Sequence, residues 1–279
     1  MSDAWQAPSR VDTRLSVLTW NLWWRFGPWE SRQPAIVRTL ARLAPDVVCL
    51  QEVWAEREGR RQADQLAAAL GGYYVAEAAG LGFDLAPQSL GNAILSRWPI
   101  RAQEARPLPA PEGLDELRVV LRAEIDGPRG AFDVYVTHLN WRLDQSHVRQ
   151  AQVRAICEFV AEAKDDRSYP PLLCGDFNAE PGAEEIRMVT GLTTAPVPKL
   201  VFLDAWQAGG DGGPGHTWNN ANPFAAVDCE PNRRIDYVFV GYPRDRGAGQ
   251  VVAARVEATD PVDGVHPSDH YALYAELRY

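Results

Sequence analysis

The feature that most constrains the fold of this chain is a set of five short apolar runs. Each run ends at, or closely contains, polar side chains. The runs and their polar residues are TWN (Asn21), CLQE (Glu52), VTHLN (His138 and Asn140), LLCGDFN (Asp176 and Asn178) and RIDYVFV (Asp236). A sixth segment, HPSDHYAL, places Asp269 and His270 just before the last apolar run. Apolar runs of this length predict buried β-strands. Because a rigid sheet fixes the side chains that its loops expose, functional groups tend to gather at strand ends.

Helical patterns are interspersed with these predicted strands. Apolar residues at helical spacing predict one helix from about Pro34 to Pro45, a second over 60–70 and a long third over 145–163. Further strands are predicted over 92–96, 117–125, 132–139, 251–258 and 271–277. The order lacks the strict βαβ rhythm of a single parallel sheet. Since no linker divides the 279 residues, we expect one domain over 1–279, with residues 1–14 as a flexible N-terminal extension.

Charge and cysteine usage narrow the class of protein. The formal net charge of −9 argues against nonspecific binding along duplex DNA, because binding to phosphates favours a basic face. The four cysteines show no CxxC pairing, and Cys49 and Cys174 sit in apolar runs, which favours a reduced, cytoplasmic setting. The N-terminus lacks the apolar core of a signal peptide, and no apolar run is long enough to span a membrane.

The polar residues at the strand ends carry oxygen donors. Oxygen ligands from Asp, Glu and Asn suit a hard cation such as Mg²⁺ or Mn²⁺, whereas zinc prefers more His and Cys. Taken singly, a Glu after an apolar strand is more often solvated, and a single His on an apolar face is more often a core histidine. Asp236 is less easily explained that way, because a carboxylate among Ile235 and Tyr237 is costly to bury unless it is paired or coordinated.

Taken together, these motifs resemble those of the endonuclease/exonuclease/phosphatase superfamily, which includes deoxyribonuclease I, abasic-site endonucleases, poly(A) deadenylases, neutral sphingomyelinases and inositol polyphosphate phosphatases. The matching stretches, in the order of the family, are LTWNL, DVVCLQEVW, GNAILSRWPI, YVTHLNW, LLCGDFNAEPG, RRIDYVFV and HPSDHYAL. The resemblance implies an α/β (α+β) four-layer sandwich of the DNase I-like type. In that fold two packed, mostly antiparallel mixed β-sheets are flanked by helices.

The resemblance also implies a metal site. Glu52 would be the principal ligand of Mg²⁺ or Mn²⁺, assisted by Asn21 and Asp269. Abasic-site endonucleases carry a second acid two residues after the first-strand Asn, where this chain has Trp23. We therefore expect one dominant cation.

The remaining motif residues take roles in phosphate chemistry by the same resemblance. Asp176 would orient and deprotonate the attacking water, and Asn178 would hold that water or a phosphate oxygen. His270, oriented by Asp236, would stabilise the negative charge that grows on the phosphate, with His138 opposite. Predicted substrate contacts are Asn140, Arg118 and, as an aromatic platform, Trp218.

The leading hypothesis is a divalent-metal-dependent nuclease or phosphodiesterase that acts on nucleic acid ends, short strands or nucleotides by in-line attack of water. An alternative is a phosphatase or phosphodiesterase for a small or lipid phosphate, such as an inositol phosphate or a sphingomyelin-like head group. A further alternative is a non-catalytic binding module of the same fold. The sequence indicates no obligate protein partner.

Overall fold

The computed structural model describes residues 10–56, 59–79, 88–110, 117–162 and 169–279. The strands in these residues are β1 (Arg14–Asn21), β2 (Val47–Glu56), β3 (Tyr74–Ala79), β4 (Gln88–Ser96), β5 (Ile100–Pro107), β6 (Val119–Gly127), β7 (Gly130–His138), β8 (Leu172–Asp176), β9 (Phe202–Asp204), β10 (Asp236–Gly241), β11 (Val251–Glu257) and β12 (Ala272–Arg278). The helices are α1 (Trp29–Leu43), α2 (Gln62–Leu70), α3 (Ser146–Ala161), α4 (Glu184–Thr190), α5 (Ala205–Gly209) and α6 (Pro223–Ala226), with a 3₁₀ turn at Asp245–Gly247.

These strands form two mixed sheets. The first sheet has the order β11-β12-β1-β2-β4-β3, and the second has the order β5-β6-β7-β8-β10-β9. Each sheet contains one parallel pair, β1 with β2 and β7 with β8, and its other neighbours are antiparallel. In each parallel pair, both strands run toward the same edge of their sheet. Polar motif residues lie at that edge.

The core has three layers because most central strands are buried on both faces. Alternate residues such as Val17, Cys49, Val136 and Cys174 fill the space between the sheets. The other face of the first sheet packs against α1 and α2, and the other face of the second sheet packs against α3 and α4. The result is the predicted four-layer order of helices, sheet, sheet and helices. The expected fold class is confirmed.

Several predicted boundaries differ from the structure. Helix α1 begins at Trp29 rather than near Pro34, so Pro34 lies inside the helix. Strand β2 does not stop before Glu52 but continues to Glu56. The strand predicted from Leu117 begins at Val119, and Leu117 itself is exposed. Strands β3, β5 and β9 were not predicted because their sequences lack a clear apolar alternation.

The N-terminal prediction falls partly outside the described residues, since residues 1–9 are not described. Val11 is buried and its N–H donates to the carbonyl of Arg246 at 3.0 Å, and Arg14 already belongs to β1. No helix in the described ranges is long and apolar enough to cross a membrane. The single domain and the cytoplasmic setting stay predictions.

Candidate active site

Three polar side chains occupy one register row at the end of the second sheet. Asp176, the last residue of β8, pairs with His138 on β7 and with Asp236 on β10. Directly paired residues on neighbouring strands point to the same face about 5 Å apart. Here that face is the one that also carries Val136 and Cys174, so the three side chains face the first sheet.

Asp176 is the centre of this row. Its Oδ1 accepts from the backbone N–H of Asn178 at 2.9 Å, and its Oδ2 accepts from Asn21 Nδ2 at 3.1 Å. The same Oδ2 lies 3.4 Å from His138 Nε2 and 3.8 Å from His270 Nε2. Gly175, the glycine of the GDFN motif, allows β8 to lie close to β7 at this point. Its φ is +150°, and a Cβ there would overlap the carbonyl of Thr137. One carboxylate therefore contacts groups from four segments.

Asn178 follows in the left-handed region, with a φ of +50°. Asparagine tolerates this conformation better than most residues. Its Nδ2 donates to the carbonyl of Leu139 at 3.1 Å, which ties the end of β8 to the end of β7.

The first sheet contributes Asn21 and Glu52. Glu52 has a φ of +54°, and the pairing of β2 with β4 shifts register between Leu50 and Val53, as at a β-bulge. Its Oε1 accepts from Asn21 Nδ2 at 3.1 Å. Its Oε2 is buried without a hydrogen-bond partner among the described residues. Burial raises the pKa of Glu52, against the opposing effect of the Asn21 hydrogen bond.

Asp269 and His270 arrive on the segment before β12. Burial raises the pKa of Asp269 to about 7, with the His270 charge opposing it. His270 Nδ1 lies 2.9 Å from Asp236 Oδ2. Burial alone would lower the pKa of His270, but the carboxylates of Asp236 and Asp269 outweigh it and hold that pKa well above its ordinary value. Since Asp236 accepts at Nδ1, Nε2 is the nitrogen that faces Asp176.

His138 is neutral, whereas the raised pKa of His270 keeps that ring protonated at neutral pH. Burial and the nearby charge of Arg118 lower the pKa of His138 to about 3, so its ring is neutral at neutral pH. Its Nδ1 lies 3.9 Å from Glu52 Oε1. Asp176 thus lies between a neutral imidazole and a charged imidazolium.

A cavity of about 410 Å³ opens onto these groups. The sequence-predicted residues that line it are Glu52, Arg118, His138, Asp176, Asn178, Trp218, Asp269 and His270. Asn21 and Asp236 lie directly behind the cavity wall, where they hydrogen-bond Glu52, Asp176 and His270. The structure does not bring Asn140 to the cavity. Its side-chain oxygen accepts from the backbone N–H of Arg142 at 3.1 Å, so it stabilises a turn.

Trp218 lines the cavity but presents little surface to it. The residue is 7% exposed, and its ring lies edge-on to His270 with centroids 5.0 Å apart. Trp141 also lines the cavity and is 50% exposed, although it was not among the predicted site residues. Its position directly after the VTHLN motif was the available signal. Trp23 and Phe26 complete an aromatic rim on the side of the first sheet.

A sequence model of the endonuclease/exonuclease/phosphatase family matches residues 18–270. The chain belongs to this family. The predicted family is confirmed, and its members are generally hydrolases that act on phosphate esters. No curated protein sequence matches the chain.

Solved structures of the same fold cover nearly the whole chain. TDP2 of D. rerio, complexed with a single-strand DNA product, has a TM-score of 0.77 at 22% identity, covering 96% of this chain and 100% of that one. The human Nocturnin catalytic domain with a bound sulfate anion has a TM-score of 0.70 at 21% identity, covering 94% and 93%. A family protein from Beutenbergia cavernae DSM 12333 has a TM-score of 0.71 at 25% identity, covering 95% and 71%.

Enzymes of this family use divalent metals, and the residues present fit such an ion. The buried Oε2 of Glu52 lacks a partner among the described residues, and a buried carboxylate oxygen in that state is costly. Asp269 is a second buried carboxyl on the same cavity. Asp176, Asp236 and His270 also bring ligand atoms within 4.8 Å of one another. His270 Nδ1 and Asp236 are already hydrogen-bonded to each other, whereas the carboxylate oxygen without a partner among the described residues belongs to Glu52.

Proposed function

We propose that this protein is a divalent-metal-dependent phosphodiesterase that hydrolyses ester bonds of nucleic acid ends, short single strands or nucleotides by in-line attack of water. Its family supports a metal-dependent phosphodiester hydrolase. The observation that carries the proposal is the convergence of Glu52, Asp176 and the Asp236–His270 pair on one cavity. These groups supply the charge neutralisation, the base and the anion stabiliser that the reaction needs.

Glu52 and Asp269 would hold the cation in this proposal, together with the Oδ1 of Asn21, which also accepts from the backbone N–H of Trp23 at 2.9 Å. A bound Mg²⁺ or Mn²⁺ would supply Lewis acidity at a phosphate oxygen and orient the substrate. Asn21 Nδ2 bridges Glu52 and Asp176, so it fixes the two carboxylates relative to each other. One dominant cation fits this set, because Trp23 occupies the position where a second acid would stand.

Asp176 is the base. Its Oδ1 is fixed by Asn178 N–H, and its Oδ2 faces His138, His270 and Asn21, so the carboxylate has one orientation. A general base must first be within reach of the water, and a fixed carboxylate on the cavity wall meets that condition. Asn178 holds the water or a phosphate oxygen.

His270 stabilises the growing negative charge on the phosphate. Its imidazolium form, maintained by Asp236, offers an Nε2–H that gives a charge-assisted hydrogen bond to an anionic oxygen. His138 serves as a neutral hydrogen-bonding partner, and Arg118 adds positive charge on the same wall. Asn140 is left as a turn residue that holds this wall in place.

Trp141 is the residue that we propose for stacking on a nucleobase, in place of the more buried Trp218. An exposed ring beside a phosphate site binds bases with little sequence preference, at about 1–3 kcal/mol per base. The related TDP2 of D. rerio forms a complex with a single-strand DNA product, which agrees with this substrate class.

A second candidate, a phosphodiesterase for a small or lipid phosphate, has its own support. Asp228 and Glu230 line the same cavity; Glu230 pairs with Arg233, so Asp228 is the acid there that disfavours a long polyanion. The net charge of −9 also disfavours binding of a long polyanion.

A substrate panel separates the two candidates. The purified protein with Mn²⁺ is given a short single-stranded DNA, the matching duplex, p-nitrophenyl phosphate and sphingomyelin in detergent micelles. The proposal predicts cleavage of the single strand, with kcat/KM at least about 10-fold above that for the monoester and the lipid. A preference for the monoester or the lipid would support the second candidate, and Mn²⁺ binding without any hydrolysis would indicate a binding module.

A further inference from the structure

A buried arginine lies behind the candidate active site, outside the cavity. Arg32, in the first turn of α1, is 1% exposed. Its Nη1 and Nη2 donate to five backbone carbonyls at 2.8–3.0 Å, those of Leu22, Pro267, Trp23, Trp24 and Phe26. The two nitrogens carry four hydrogens, so at least one hydrogen is shared between two carbonyls. The guanidinium also lies over the ring of Trp23, with 4.8 Å from Cζ to the ring centroid.

These carbonyls belong to two segments that carry site residues. Residues 22–26 directly follow Asn21, and Pro267 precedes Asp269 by two residues. The first segment is strained, since Trp23 and Trp24 have φ values of +55° and +35°. Bulky residues in this region cost on the order of 1–3 kcal/mol each unless their surroundings hold them there. Arg32 joins the two segments, and so does Ser268, whose Oγ donates to the carbonyl of Asn21 at 2.7 Å.

The carbonyls that follow Pro267 are held in the same way. Asn222, fully buried, donates from Nδ2 to the carbonyls of Ser268 and Asp269 at 2.7 and 3.1 Å. Trp20 Nε1 donates to the carbonyl of His270 at 3.0 Å. Four consecutive carbonyls, from 267 to 270, therefore accept from buried side chains of other segments.

We propose that Arg32 and Asn222 are positioning residues that together fix Asn21 and Asp269 against Glu52 and thereby set the affinity of the site for its divalent cation and the placement of His270. The kinetic part of this inference rests on the proposed function, whereas the metal-affinity part does not require turnover. Burial lowers the pKa of Arg32 to about 10, so the guanidinium remains charged at neutral pH. The negative charges of Asp269 and Glu52 oppose this lowering of the Arg32 pKa, although Arg32 does not line the cavity.

The geometry requires an arginine rather than any cation. The five carbonyls are shared between two nitrogens at the ends of a planar fork. A lysine ammonium is a single point with three donors and cannot serve all five carbonyls. We therefore expect the conservative Arg32→Lys variant to be impaired in the same way as Arg32→Gln.

The test compares Arg32→Lys and Arg32→Gln with Arg122→Lys, a matched control on the outer face of the second sheet, where Arg122 pairs with Asp133. Four quantities are measured well below the melting temperature of each variant. They are the Kd for Mn²⁺ by calorimetry on metal-free protein, kcat and KM for bis-p-nitrophenyl phosphate, and the free energy of unfolding in urea.

Both Arg32 variants should raise the Kd for Mn²⁺ about 10- to 100-fold and lower kcat about 10- to 100-fold, with KM changing less than threefold. Arg122→Lys should lose stability without changing Kd or kcat. A merely structural Arg32 would lower the unfolding free energy but leave Kd and kcat of the folded protein unchanged, and that result would overturn the proposal.

Asn222→Ser carries the test should the Arg32 variants fail to fold, because it releases two carbonyls of the same segment. A folded Asn222→Ser with the Mn²⁺ affinity and kcat of the natural protein would also overturn the proposal. If the natural protein hydrolyses no ester, the proposed function fails, but the comparison of Mn²⁺ affinities still decides the role of Arg32.

Discussion

The two sheets place their site residues by different means. In the second sheet, His138, Asp176 and Asp236 stand in one row across three hydrogen-bonded strands, so regular backbone pairing sets their spacing. In the first sheet, Glu52 stands at an interruption of the pairing with a positive φ. Asp269 lies outside the strands, on a segment whose carbonyls accept from buried side chains.

Because of this difference, substitutions in the two sheets should have different effects. A register row is maintained by many backbone hydrogen bonds and tolerates the loss of one side chain. A bulge and a loop held by side chains depend on a few named contacts, so their loss displaces ligands as well as removing them. We therefore expect substitutions in the second sheet to remove chemistry and substitutions in the first sheet to alter metal affinity.

The largest expected effect is in the register row. Asp176→Asn should lower kcat for bis-p-nitrophenyl phosphate by about 100- to 1000-fold, because the amide cannot act as the base. The backbone pairing of β8 does not depend on the carboxylate, so the far-ultraviolet circular dichroism and the Kd for Mn²⁺ should change little. Asp133→Asn is the control, since Asp133 is equally buried on β7 but pairs with Arg122 on the other face. Comparable losses of kcat in both variants would contradict the role of Asp176.

Glu52→Gln tests the first sheet. We expect the Kd for Mn²⁺ to rise at least about 10-fold, with part of kcat recovered at high Mn²⁺ concentration. Because burial raises the pKa of Glu52, the neutral amide should also raise the melting temperature of the metal-free protein at pH 8. Titration calorimetry and a thermal melt check both effects. A variant that binds Mn²⁺ normally would remove Glu52 from the ligand set.

The aromatic rim allows a further comparison of the two sheets. Trp141 lies just after β7 of the second sheet, and Trp23 lies just after β1 of the first. Trp141→Ala should raise KM for a single-stranded oligonucleotide by about 10-fold and leave bis-p-nitrophenyl phosphate turnover unchanged. Trp23→Ala should lower turnover of both substrates, because Trp23 packs on Arg32 and Phe224. Equal effects of Trp141→Ala on both substrates would contradict base stacking.

The smallest effect on activity is expected at a second carboxyl of the first sheet, Glu77, which does not line the cavity and acts on stability alone. Burial raises the pKa of Glu77 from 4.5 to about 7, against the attraction of Arg61, and its side chain is 4% exposed. A raised carboxyl pKa means that the folded state binds more protons between pH 4.5 and 7. Stability from this group is therefore full below pH 4.5 and lost as the pH rises to about 7, by up to about 3 kcal/mol.

Glu77→Gln should flatten this part of the pH dependence. Urea unfolding at pH 5 and pH 8 measures it, as the difference between the natural protein and the variant. An identical pH dependence in both would show that the Glu77 carboxyl is not perturbed.

The same contrast between sheets explains what could be predicted from the sequence. Asp176 and His138 follow apolar runs of strand length, and Asp236 lies at the start of one, so local patterns identified each of the three residues but not their alignment in one row. Glu52 was identified by its motif, but no glycine marks the bulge, and the strand was predicted to end too early. Arg32 lies before the start predicted for the helix, near Pro34, where an arginine is ordinarily solvated. Its burial depends on Pro267, which is 235 positions away. Such side-chain-to-carbonyl contacts leave no periodic signal.

The decisive measurement is the dependence of bis-p-nitrophenyl phosphate hydrolysis on Mn²⁺ concentration in the natural protein. We predict saturable, metal-dependent turnover that a chelator abolishes and added Mn²⁺ restores. Turnover that persists in the chelator, or none at any Mn²⁺ concentration, would contradict the proposal that Glu52 and Asp176 act around one divalent cation.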